Sequence, residues 1–280
     1  MSRILAEQSR FVALTCVAAT MAFLGTAAAS AAPGEKHRFT YKPPVAGQSL
    51  SQELKFSLEL KTSTIQAGKT IEEVDSVVER RQQRSVTVID AAADRITKAS
   101  VRYDAAEQEI RHGQEKQQAK QPIAGKTYVV ARAKPTDKLT VTDEEGGEPS
   151  AAELAIVSGG MDAIGRVNPL GGFFDKREVA VGETVALPQK LAREMIGYDD
   201  TVGETTKFDL TLARVVEREG VKCGEFDARI DVKPADPTSP PTRFRGRFVL
   251  ELATCRGVEA DFAGPVSFVE THGPQGARYQ

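Results

Sequence analysis

The chain has 280 residues, a formal net charge of −2, no tryptophan and only 6% aromatic residues. That charge offers no basic face for nucleic acid, and so few rings argue against a platform for stacking bases or sugars. The length suffices for one large β domain or two small ones.

Residues 1–31 have the layout of a secretory signal peptide. Arg3 and Arg10 outweigh Glu7, an apolar run follows from Phe11 to Leu24, and the small-residue stretch GTAAASAA closes it. Ala29-Ser30-Ala31 fits an A-x-A cleavage site. Cleavage leaves 249 residues (280 minus 31) and a net charge of −3, since two Arg and one Glu are lost from −2. The rival reading is a retained anchor, but the 14-residue apolar run is short of the ~20 residues that span a bilayer. Cys16 lies inside the run behind Thr15, which does not suit a lipoprotein signal, and no later segment is apolar enough to span. The expectation is an exported protein, periplasmic or extracellular after cleavage near Ala31.

Residues 32–50 read as an N-terminal surface arm and 51–272 as a single antiparallel β domain, with 273–280 as a tail. Leu54, Phe56, Leu58 and Leu60 alternate in the first strand. Residues 70–84 carry both a helix stripe (Ile71, Val74, Val77, Val78, Arg81) and β-branched content; the following SVTVID favours a long strand. Ser85–Asp90, the turn AAAD and Arg95–Tyr103 form a hairpin. Asp104–Gln121 is Gln/Lys/Glu-rich and reads as a solvated loop or frayed helix. TYVVARA and Leu139–Val141 resume the sheet, and the acidic turn DEEGGE lacks the ligand spacing of a calcium loop.

Ser150-x-x-Glu153 is a capping-box signature for a helix near 151–164, interrupted by Gly159-Gly160. NPLGGFF reads as a loop and REVAVGETV as a strand and turn. A second helix is expected near 187–197, with Pro188 in its first turn and Leu191 and Met195 on one face. Thr206–Val216 and Val258–Val269 flank a hairpin formed by VKCGEFDARIDV and RFRGRFVLELATC. Arg218-Glu219-Gly220 and Cys255-Arg256-Gly257 read as three-residue turns with a left-handed Gly.

In that hairpin a pairing sum of 478 opposes Phe226 to Leu252, Ala228 to Leu250, Ile230 to Phe248 and Val232 to Gly246. It also opposes Cys223 to Cys255. Directly opposed Cβ atoms lie about 4.5–5.5 Å apart, which local twist brings into disulfide range. Two readings stand: free structural thiols, or a disulfide closing a loop of roughly 30 residues, which an oxidising compartment favours. Short connections imply an antiparallel meander, so the fold class is α+β, a curved half-barrel-like meander with two short covering helices. Its apolar face assembles Phe208, Leu210, Leu212, Phe226, Ile230, Phe248, Leu250, Leu252, Phe262 and Phe268.

The stretch VAVGETVALPQKLAREMIGY is similar to the pattern V-x-V-G-[DE]-[ST]-W-x-[LV]-P plus helix. FVLELATCRG resembles [FL]-x-[FL]-D-x-A-T-G-R. With the export signal, these features resemble the secreted bacterial proteins of unknown function that have a half-barrel of the LolA/LppX lipoprotein-carrier type. The chain departs from the patterns at Val185, where Trp is usual, and at Cys255, where Gly is usual. The resemblance covers the last 110 or so residues and implies a concave apolar sheet able to hold a lipid-like ligand. It brings no catalytic set.

His37, His112 and His272 are not at metal-ligand spacing, and no CxxC, G-x-S-x-G, Walker loop or H-E-x-x-H occurs. No metal, cofactor or catalytic residue is expected. The basic cluster ERRQQR at 79–84 reads as the solvent face of a strand. The expected function is a non-enzymatic extracytoplasmic protein that binds or carries an apolar, lipid-like molecule on the ten residues named above. The alternative is a structural or interaction module of the cell envelope, with envelope proteins as partners and the apolar face consumed as core. An enzyme of unknown class is a distant third.

Overall fold

The computed structural model describes residues 34–66, 69–196, 203–234, 240–265, 268–272 and 275–279. It is an antiparallel α+β protein dominated by strands, with three short helices and no closed barrel among the described residues. Eight strands form the larger sheet. These are β2 (Ser49–Gln66), β3 (Lys69–Ala92), β4 (Arg95–His112), β5 (Glu115–Lys120), β6 (Thr127–Ala131), β7 (Thr140–Asp143), β14 (Phe268–His272) and β15 (Gln275–Tyr279). Five form the second sheet, in the order β13 (Gly257–Ala263), β12 (Thr242–Glu251), β11 (Val221–Pro234), β10 (Gly203–Arg218) and β9 (Thr184–Ala186). β1 (Lys36–Arg38) and β8 (Glu178–Ala180) make a separate ribbon.

Residues 69–92 are one strand, as β-branching rather than the helix stripe indicates. The segment expected as a loop, 104–121, is instead the outer half of β4, a turn at Gly113 (φ +58) and β5. Every residue of β5 is exposed. A strand solvated on both faces has no apolar alternation to betray it, and its lysines suit an unpaired edge.

Each sheet has its own apolar cluster, and the helices divide between them. α1 (Ala151–Gly160) and the turn behind it lay Val157, Met161 and Ile164 on Val86, Val101, Tyr103, Tyr128 and Val130 of the larger sheet. It therefore does not cover the C-terminal meander. α2 (Pro169–Phe174) and α3 (Gln189–Ile196) do, contributing Leu170, Phe174, Leu191 and Ala192. The capping box is present: Ser150 Oγ accepts from Glu153 N–H, and Glu153 Oε2 accepts from Ser150 N–H at 2.9 Å. α2 occupies the predicted NPLGGFF loop. Asn168 Oδ1 accepts from the N–H groups of Leu170 and Gly171, and Pro169 fills the first helical position.

The N-terminal arm, expected on the surface, sends Phe39 into the core, while the residues after it stay exposed or half-buried. Phe39 is fully buried, its N–H donates to Arg177 C=O, and its C=O accepts from Lys176 N–H. Tyr41 links the two sheets, donating its hydroxyl to Asp94 C=O in the β3–β4 turn at 2.8 Å. Its ring lies so near α2 that a Cβ on Gly171 would come within 2.4 Å of it. The expected tail contains β15, which pairs with β2.

The register of the C-terminal hairpin differs from expectation. Phe226 opposes Phe248, Ala228 opposes Gly246, Ile230 opposes Phe244 and Cys223 opposes Glu251, a pairing sum of 474. The four-residue shift from 478 is even, so every side chain keeps its face. Glu219 (φ +51) and Gly220 (φ +79) form a two-residue turn between β10 and β11 rather than a three-residue one. After β12 the left-handed residue is Cys255 (φ +52), not Gly257. Finally, the last strand of this sheet ends at Ala263; Phe268 starts β14 and pairs with Tyr279 in the other sheet.

Candidate functional site

Of the ten residues expected on the apolar face, Phe208, Leu210, Leu212, Phe226, Ile230, Phe248 and Leu250 are brought together and buried. Leu252 and Phe262 pack half-buried at the margin. Phe268 belongs to the other sheet, and its side chain lies outside the described residues. The chain's own rings occupy the middle of the face. The ring centroid of Phe39 is 5.8 Å from that of Phe226 and 5.2 Å from that of Phe174, and Phe174 and Phe226 are 5.6 Å apart. At the margin Phe262 meets Phe208 edge-on at 6.2 Å. Such separations are those of packed aromatic pairs. The face that could have been a ligand floor is thus filled by the arm, α2 and α3.

Cys223 and Cys255 are free thiols and both are buried. The expected bridge is corrected on two grounds. The observed register opposes Cys223 to Glu251. Moreover, Cys223 shares the outer face with Glu225, whereas Cys255 belongs to the apolar cluster on the inner face. Cys255, with its positive φ, turns away from that polar face and inward. Burial pushes both thiols up to about 11, with help from Glu251 for Cys223 and Asp175 for Cys255. A thiol-reactive reagent at pH 8 should leave native protein unlabelled and label two thiols per mature chain after denaturation without reductant. No label after denaturation would establish a disulfide.

The larger sheet buries a polar cluster that a run of charged and amide residues hides in the sequence. Arg84 is 2% exposed; its Nε donates to Gln52 Oε1 at 2.7 Å and a terminal nitrogen donates to Gly160 C=O at 3.1 Å. The guanidinium thus caps the last turn of α1, a helix end with no basic residue of its own, and meets the negative end of its dipole. A Cβ on Gly160 would come within 2.8 Å of that guanidinium, so the glycine makes room for it. Arg132 grips the next turn, donating to Asp162 C=O at 2.9 Å and to its Oδ1 at 2.7 Å. Nearby, Glu153 accepts from Lys126 at 2.6 Å and from the Tyr128 hydroxyl at 2.8 Å. Lys126, Ser150 and Tyr128 together hold its carboxyl near 2, and burial with Glu153 raises the Tyr128 phenol. These groups fasten α1 to the sheet. The motif ERRQQR foretold a solvent face, but within it Arg84 points inward.

The outer face of the five-stranded sheet carries mostly charged side chains. Glu225, on the outer side but buried, accepts from Arg214 at 2.7 Å, with Arg247 at 3.4 Å and Arg218 at 3.7 Å. Arg218 also reaches Glu259 at 2.6 Å. Asp231 holds Arg229 at 2.8 Å and Arg243 at 2.6 Å, and Arg229 foremost lowers its carboxyl. No group of three or more His, Cys, Asp or Glu able to hold a metal occurs among the described residues. Nor is any helix among them long and apolar enough to cross a membrane.

Fold and surfaces define an antiparallel α+β protein of two main sheets, each with its own helix-covered core, and a short β1–β8 ribbon. No protein-family model, curated protein or solved structure matches the chain.

Proposed function

We propose that the chain is a non-enzymatic, exported interaction module of the cell envelope, whose apolar sheet face is core and whose working surfaces are its polar strand faces. The packing of Phe39 and Phe174 onto Phe226 carries this reading, because it fills the place where a lipid-like ligand would lie. The layout of residues 1–31 supports export. A second reading, binding of an apolar molecule, draws on the half-buried margin formed by Phe244, Leu252 and Phe262. Two measurements test the proposal. N-terminal sequencing of the protein from a secreting host should begin at Ala32; an uncleaved cytoplasmic product would overturn export. Titration with a fluorescent fatty acid should give no saturable signal, and stoichiometric binding would favour the second reading.

A further inference from the structure

β12 carries Arg243, Arg245 and Arg247 at alternate positions, so all three project from the outer face of the five-stranded sheet and all are exposed. Residues two apart on a strand are about 6.8 Å apart. Arg245 stands between the other two, directly opposite Arg229 on β11 and Ala263 on β13. Its immediate neighbours on this face are therefore three arginines and one alanine, whose small side chain leaves the guanidinium open to solvent. Like charges directly opposed across a ladder destabilise a sheet, and Arg245 has no ion pair among the described residues to offset that. The surrounding arginines are held differently. Arg229 gives Nε and one terminal nitrogen to Asp231, and Arg243 gives its Nε to the same carboxylate. Arg247 leans on Glu225 and Glu259. The carboxylates position the flanking forks and, among the described residues, leave terminal donors of Arg229 and Arg243 and the whole Arg245 fork without a partner.

We propose that this face is a phosphate-binding site centred on Arg245 and flanked by Arg229, Arg243 and Arg247. Guanidinium forks match the paired oxygens of a phosphate, and a tetrahedral anion presents enough oxygens for several forks approaching from the neighbouring strands. A carboxylate, with two oxygens, satisfies one fork. Asp227 and Asp261, which oppose Arg247, keep the patch from a uniformly positive field. The site thus favours a discrete phosphate group over a long polyanion. That group is either free phosphate or the phosphate of an anionic headgroup.

The test uses the mature protein, its Arg245→Gln variant and Lys134→Gln, a control that removes one exposed charge from the β6–β7 loop beside the other sheet. Calorimetry with inorganic phosphate and sedimentation with phosphatidylglycerol or phosphatidylcholine vesicles separate the two sources. Binding of phosphate, or of phosphatidylglycerol but not phosphatidylcholine, should weaken about tenfold in Arg245→Gln, as expected for losing a charge-assisted pair, and stay unchanged in Lys134→Gln. Circular dichroism should show both variants folded, since both positions are exposed. Binding to neither probe, or binding that Arg245→Gln leaves intact, overturns the proposal.

Discussion

Phe226→Ala should destabilise the protein by about 3–5 kcal/mol, the cost of removing a large ring from a closed core. Phe226 is fully buried and touches the rings of both Phe39 and Phe174. The substitution therefore loosens the arm, α2 and the sheet at once. Phe262→Ala should cost much less, because that ring is half-buried at the margin and its space can be taken by water or neighbouring side chains. Denaturant midpoints with unchanged slopes measure both values. A small loss for Phe226→Ala would mean that the face is already partly empty, and the packed-core account would fail there.

Arg84→Ala should destabilise the larger sheet by a comparable amount, about 3–5 kcal/mol. It leaves the Gly160 carbonyl and Gln52 without their donor, at about 1–3 kcal/mol for each buried group unsatisfied, and it empties the volume of the aliphatic stem. Arg84→Met retains most of that volume and should recover part of the loss. The chain has no tryptophan, so tyrosine fluorescence, with Tyr103 and Tyr128 inside this core, follows unfolding of this sheet. Gly160→Ala should mimic the defect from the other side, since its Cβ would meet the guanidinium. If Arg84→Ala unfolds at the same midpoint as the parent protein, the guanidinium does not hold α1 in place.

Much of the architecture is legible in the residues because alternation fixes which face a side chain takes. Phe226, Ala228, Ile230, Phe248 and Leu250 were assigned to one face and lie on it. Alternation does not fix register, however, since any even shift preserves the faces. The four-residue difference in the hairpin leaves no trace in the alternation, and in the observed register Cys223 faces Glu251 rather than Cys255. Packing at Gly246 carries register information that alternation lacks. A Cβ there would come within 1.7 Å of Asp261 C=O, so only glycine fits at this position.

Other features were written in local signals that a stronger pattern concealed. Asn168-Pro169 is a sound helix start, but two glycines and a length of six residues made α2 read as a loop. Phe39 stood alone in a polar arm, and only the tertiary fold reveals it as the centre of an aromatic cluster. The outer half of β4 keeps only Ala105, Ala106 and Ile110 as apolar positions and β5 is exposed throughout, which leaves little periodicity to detect. Arg84 lies in a run of charged and amide side chains, where the strand's alternation alone could have marked it as inward, two positions before Val86. The open patch around Arg245 is visible as R-F-R-G-R, yet that Arg245 faces Arg229 rather than Lys233 depends on the observed register.

The most direct test of the packed-core account is native mass spectrometry of the exported protein, combined with solvent extraction of the same sample. The account predicts a single species at the mass of the mature chain and no extractable lipid. A stoichiometric adduct released as an acyl-containing molecule would contradict it.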